Sequence, residues 1–100
     1  MSLGKKIKEL RESNSVLQRE LAAMLNVGES YLSKVETDHK VLKREYLIHL
    51  SEYFNYPLSE LEALWLGTKV YDLIKNETQG LSALKVAEEQ INYEVSTSVK

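Results

Sequence analysis

Residues 17–36, LQRELAAMLNVGESYLSKVE, constrain this chain more than any other stretch. Leu17, Leu21, Met24 and Leu25 recur at helical spacing and predict a short helix with one apolar face. Asn26 follows, and Asn tolerates the left-handed conformation, so Asn26-Val27-Gly28 can reverse the chain while Val27 returns to the core. Gly28 is an acceptable N-cap for a second helix. In that helix Leu32 and Val35 face inward, which leaves Glu29, Ser30, Tyr31, Ser33 and Lys34 outward or to the side. Small Ala22 and Ala23 allow the two helices to approach closely.

A polar face on a short helix anchored by two apolar residues suits insertion into the major groove of DNA. The chain resembles the DNA-binding domains of lambda-type phage repressors and Cro proteins. The resemblance runs through Leu3-Gly4, Ile7, Leu10-Arg11, Gln18, Leu21-Ala22, Leu25, Val27, Ser30-Tyr31-Leu32-Ser33, Val35-Glu36, Leu47 and Leu50. It covers roughly residues 3 to 66, four helices rather than a lone turn. Three positions depart from the pattern. Leu17 stands where a capping Ser or Thr is usual, which shifts the expected cap to Ser15 with Gln18 as its capping-box partner. Asp38 replaces a common Gly and Leu42 a common Pro, so the loop after the motif is expected to differ.

The resemblance also implies roles. Arg11 is expected to form a partly buried salt bridge with Glu36, more structural than functional. Gln18 is expected at a phosphate beside a helix N-terminus, with capping alone as its alternative. Tyr31, Ser33, Lys40, Lys43 and Arg44 are further candidates for the DNA backbone, and Glu29, Ser30 and Lys34 for base reading. Lys34 can donate to guanine, Ser30 can donate or accept, and Glu29 can accept from cytosine N4. As the first residue of its helix, Glu29 is equally explained by the macrodipole. Lys5, Lys6, Lys8 and Arg11 crowd the outer faces of a first helix whose buried stripe is Leu3, Ile7 and Leu10, and the lysines serve either phosphate or solvent.

A net charge of −2 does not advertise a nucleic-acid binder, but its distribution is uneven. Residues 1–50 hold nine Lys/Arg against seven Asp/Glu, and residues 51–100 hold four against eight. Repulsion from the acidic half fades over a Debye length of about 8–10 Å. One hundred residues, 43% of them hydrophobic, suit one modest core. Cysteine is absent, the N-terminus has no signal-peptide pattern, and no apolar run of about 18 residues exists, so a cytoplasmic protein with no membrane association is expected.

Beyond the motif, Thr37 to Lys43 reads as a polar loop. Tyr46, Leu47, Leu50, Tyr53 and Phe54 predict a fourth helix, ended by Asn55-Tyr56-Pro57. Ser59 with Glu62 predicts a capping box, and Leu61, Leu64 and Trp65 complete the core. Leu66, Val70, Tyr71, Leu73 and Ile74 line more than one helical face, and the helix is expected to continue through Gly67. After a turn at Asn76 to Gly80 with Thr78 as cap, Leu81, Leu84, Ala87, Ile91 and Val95 form the stripe of a last helix. Its surplus apolar surface reads as a dimer interface, formed by Leu66, Val70, Tyr71, Leu73, Ile74, Leu84 and Ile91, or as a hairpin folded onto its own domain. The expected division is 1–66 for the reader, 67–95 for the extension and 96–100 for a flexible tail.

No metal or other cofactor is expected. His49 with Glu52, and His39 alone, lack the partners a metal site needs. No nucleophile with a base, phosphate loop or apolar carboxylate pair is present, so no enzymatic activity is expected. The sum is an all-α protein: a lambda-repressor-like five-helix DNA-binding domain with a C-terminal helical extension. Resemblance implies a homodimer on double-stranded DNA, reading palindromic half-sites about 34 Å apart. Small size without a sensor domain suggests an autoregulator, similar to restriction-modification controllers or small phage-type repressors. The alternative is an antitoxin-type interaction protein whose C-terminal helices bind a protein partner.

Overall fold

The computed structural model describes residues 1–98, with side chains through Val95. The elements are α1 (Leu3–Ser13), α2 (Gln18–Leu25), α3 (Glu29–Glu36), a 3-10 turn (Arg44–Tyr46), α4 (Leu47–Phe54), α5 (Leu58–Ile74) and α6 (Gly80–Ser98). No strand occurs among the described residues. The chain divides into two compact units, Met1–Lys69 and Val70–Lys100.

In the first unit the helices start and stop for local chemical reasons. Ser2 caps α1: its Oγ accepts the Lys5 N–H at 3.1 Å and donates to Asp38 Oδ2 at 2.8 Å. Asp38 has φ 63°, the left-handed region that favours Gly. The Ser2 bond holds its carboxylate there and ties α1 to the end of α3. Ser15, the expected cap of α2, is itself left-handed at φ 55°. The cap position falls on Leu17, whose side chain has no acceptor, and Glu20 compensates by accepting the Leu17 N–H at 2.8 Å. The spacing Leu-x-x-Glu therefore replaces the Ser15–Gln18 box. Asn26 makes the turn at φ 57°, and the Val27 N–H donates to the Ala22 carbonyl at 2.9 Å. Gly28 caps α3 in ordinary extended geometry.

Leu3, Ile7 and Leu10 of α1, Leu21, Ala22 and Leu25 of α2, and Leu32 and Val35 of α3 are buried together with Leu42, Leu47, Leu50 and Leu61. Ala22 alone provides the close approach, since Ala23 is exposed. Leu42 corrects the expectation of a wholly polar loop: it is buried, and its carbonyl accepts the Trp65 Nε1–H at 2.6 Å. Tyr53 lies outside the core, edge-on to Phe54 with ring centroids 5.0 Å apart.

Asn55 ends α4 at φ 51°, and Ser51 Oγ donates to the Tyr56 carbonyl at 2.6 Å. Helix α5 begins at Leu58, so Ser59 sits inside its first turn and not at a cap. The Pro57 carbonyl takes the N–H groups of Glu60 and Leu61 at 3.2 and 3.3 Å. The helix runs unbroken through Gly67.

In the second unit α6 starts at Gly80, which is buried; a Cβ there would meet the Ile74 carbonyl. Thr78 is therefore too early to be its cap, and the Gln79 carbonyl accepts the Ala83 N–H at 2.8 Å. Of the tail expected at 96–100, residues 96–98 are helical backbone and 99–100 lie outside the described residues. No helix among the described residues is long and apolar enough to cross a membrane.

Gly4 lies where α1 meets the end of α3, and a Cβ there would collide with the Val35 carbonyl and the Asp38 carboxylate. Backbone on one side leaves little room to relax. Gly4→Ala is expected to cost about 1–3 kcal/mol through overpacking, a drop of roughly 5 °C or more in thermal unfolding followed by circular dichroism.

Candidate nucleic-acid interface

The outward face of α3 consists of Glu29, Ser30, Ser33 and Lys34, all exposed, above the buried anchors Leu32 and Val35. Four of the five side chains read as outward from the spacing thus share one surface. Tyr31 departs from that set. It packs partly against the core, and its hydroxyl oxygen is buried without a hydrogen-bond partner. A phosphate reaches that oxygen only if the side chain turns out. Lys40 Nζ lies 5.2 Å from the Tyr31 ring centroid, so the loop cation is drawn back over α3.

Beneath this face lies a buried carboxylate. Glu36, at 5% exposure, accepts from Arg11 twice: Nε to Oε2 at 2.8 Å and Nη2 to Oε1 at 3.0 Å. Arg11 Nη1 also donates to the Val16 carbonyl at 3.1 Å, and Gln18 Nε2 donates to Glu36 Oε1 at 3.2 Å. Hydrogen bonding to Glu36 pushes the Arg11 guanidinium pKa further up, outweighing the opposing effect of burial. One carboxylate thereby joins α1, the first turn of α2 and the end of α3. Gln18 sits at the N-terminus of α2, where backbone donors and the helix dipole favour an anion.

The remaining cations are distributed unevenly. Lys34, Lys40 and Lys43 have no carboxylate partner among the described residues, whereas Arg44 pairs with Glu62 at 3.4 Å and lies 5.2 Å from the Trp65 ring centroid. Lys34, in the last turn of α3, is also favoured there by the macrodipole. Arg19, exposed in the first turn of α2 beside Gln18, and Lys69 on α5 were not singled out by sequence pattern. Single exposed cations carry no periodicity that would mark them. His39 and His49 join no group of three or more potential metal ligands among the described residues.

The C-terminal residues read as an interface lie apart from this surface in sequence. Leu66, Val70, Tyr71 and Leu73 on α5 and Leu84 and Ile91 on α6 are exposed, Leu73 at 76%, while Ile74 is half-buried.

A helix-turn-helix family model matches residues 7–61, from α1 into the first turn of α5. The chain belongs to the XRE-type helix-turn-helix family. In this helix-turn-helix α2 and α3 are the paired helices, and the all-α, lambda-repressor-like fold with a C-terminal helical extension is the one its family implies. The chain is similar to the HTH-type transcriptional regulator ImmR of Bacillus subtilis (strain 168), with 40% identity over 55 residues. That match spans 55% of this chain and 43% of the relative. No solved structure matches the chain significantly.

Removing Arg11 leaves a carboxylate buried with one neutral donor. Arg11→Ala is expected to destabilise the helix-turn-helix by about 3 kcal/mol, read as a lower denaturant midpoint with an unchanged slope. Arg11→Lys, which lacks the two-pronged geometry, is expected to recover only part of the loss.

Proposed function

We propose that this protein is a sequence-specific DNA-binding transcriptional regulator that places α3 in the major groove. The observation that carries the reading is the exposed polar face of α3 standing on buried Leu32 and Val35, with Glu36 locked beneath it. Lys34, Ser30 and Glu29 then read base edges. Gln18, Ser33, Lys40, Lys43 and Arg44 meet the backbone, as does Tyr31 once its side chain turns out. Gln18 is pre-positioned by Glu36. The similarity to a relative named as a transcriptional regulator supports the same reading.

The regulator acts as a homodimer on a palindromic operator and controls its own gene. Support for self-association comes from the exposed apolar side chains of α5 and α6, since a monomer leaving Leu66, Val70, Leu73, Leu84 and Ile91 in water forgoes their burial energy. A second reading, in which these helices bind a different protein as antitoxins do, is favoured by the acidic balance of residues 51–100. Light scattering at micromolar concentration is expected to give twice the 11.5 kDa of one chain. A monomer that co-purifies with a small basic partner at equal stoichiometry would select the second reading.

DNA from upstream of the gene is expected to bind more tightly than scrambled DNA in fluorescence anisotropy, with affinity falling steeply as salt rises. Lys34→Ala is expected to lose about 1–3 kcal/mol of discrimination at one base pair of each half-site. An unchanged base-substitution profile for Lys34→Ala would remove Lys34 from the readers.

A further inference from the structure

Trp65 carries two cations on one indole. Arg44 Cζ lies 5.2 Å and Lys69 Nζ 5.1 Å from its ring centroid. The ring is a fixed platform, half-buried against the core and held through Nε1–H on the Leu42 carbonyl at 2.6 Å. The cations are held far more weakly. Each exposed contact with the ring contributes only about 0.5–1 kcal/mol. Arg44 has the loose Glu62 pair, with side chains 50% and 38% exposed, and Lys69 has no carboxylate partner among the described residues. Arg44 and Lys69 both stand within about 5 Å of the same ring, so an anion approaching Trp65 is attracted by two positive charges.

The position of the pair indicates which anion. Leu42 belongs to the loop that follows α3; Lys40 of the same loop stacks on Tyr31 of α3, and Lys43 directly precedes Arg44. Cations thus run from the recognition helix along the loop and end on α5. A duplex backbone presents a matching continuous run of anions, one charge per about 1.7 Å of helix axis.

We propose that Arg44 and Lys69 together bind the phosphate backbone of duplex DNA across the Trp65 indole, extending the contact of the helix-turn-helix onto α5. This rests on the DNA-binding reading above. The new element is Lys69, which lies outside the residues matched by the family.

The test is Lys69→Gln, measured by anisotropy on the upstream duplex and on a scrambled duplex across a salt series. The variant is expected to bind both about 5- to 10-fold more weakly per bound copy at 0.1 M salt, with the slope of log affinity against log salt shallower by about 0.9. Lys69→Glu is expected to bind more weakly still. Both changes are at an exposed position, so thermal unfolding should match the unaltered protein. Trp65 is the only tryptophan, and its emission is expected to change when DNA draws the cations off the ring; Lys69→Gln should shrink that change. Equal affinity and equal salt slope for Lys69→Gln, with the unaltered protein binding normally, would overturn the proposal alone. Failure of the unaltered protein to bind either duplex would overturn the DNA-binding reading and this proposal with it.

Discussion

The reader domain is organised around a carboxylate that has been taken out of water. Burying Glu36 costs several kcal/mol, and that cost is offset only by placing a guanidinium in fixed, two-pronged geometry against it. Arg11 can do so only if α1 lies along the end of α3, and its third bond, to the Val16 carbonyl, also sets the path of the chain into α2. The Gln18 amide completes the set from α2. An apolar contact in the same place would tolerate sliding of one helix over another. A bidentate ion pair does not, so α3 is held at one angle to α1, and the proposed fit of α3 to a groove relies on that.

The same economy appears at the joints between helices. Among the described residues four that are not glycine, Ser15, Asn26, Asp38 and Asn55, occupy the left-handed region, and each lies within the first unit at a point where the chain leaves a helix or starts a turn. Asn26 and Asn55 are residue types that tolerate this conformation through local hydrogen bonding. Asp38 is held there by Ser2, and Gly4 makes room beside it for α1. The close contact of α1 with the end of α3 therefore depends on the Ser2 and Asp38 side chains and on the missing side chain at Gly4, as well as on the apolar core.

Charge and apolar surface are distributed between the two halves of the chain in opposite senses. Residues 1–50 bury most of their large aliphatic side chains and leave lysines in water. Residues 66–91 leave Leu, Val and Ile in water on both α5 and α6. Apolar residues at positions such as 70, 71, 73 and 74 point around the helix rather than along one stripe, and no single neighbour can cover them all. The proposal of association through the second half and DNA contact through the first rests on this contrast.

The helices, their turn at Asn26 and the inward set of Leu3, Ile7, Leu10, Leu21, Leu32 and Val35 were legible in the sequence because periodicity and backbone preference act over a few residues. Family resemblance added the roles expected of the outward residues of α3 and the pairing of Arg11 with Glu36, which no spacing rule could have joined across 25 positions. What had to wait for the tertiary structure involves distant groups competing for the same partner. The start of α2 is a local exception: the cap position falls on Leu17, whose N–H Glu20 accepts, and Ser15 lies too early. Tyr31 turned its hydroxyl inward because its ring found both core and Lys40. Leu42 became buried, and Lys69 and Arg44 came to share one ring, only once Trp65 was seated between the loop and α5. Local pattern specifies which face of a helix is apolar; which charged or polar groups meet is decided by the packing of helices far apart in the chain.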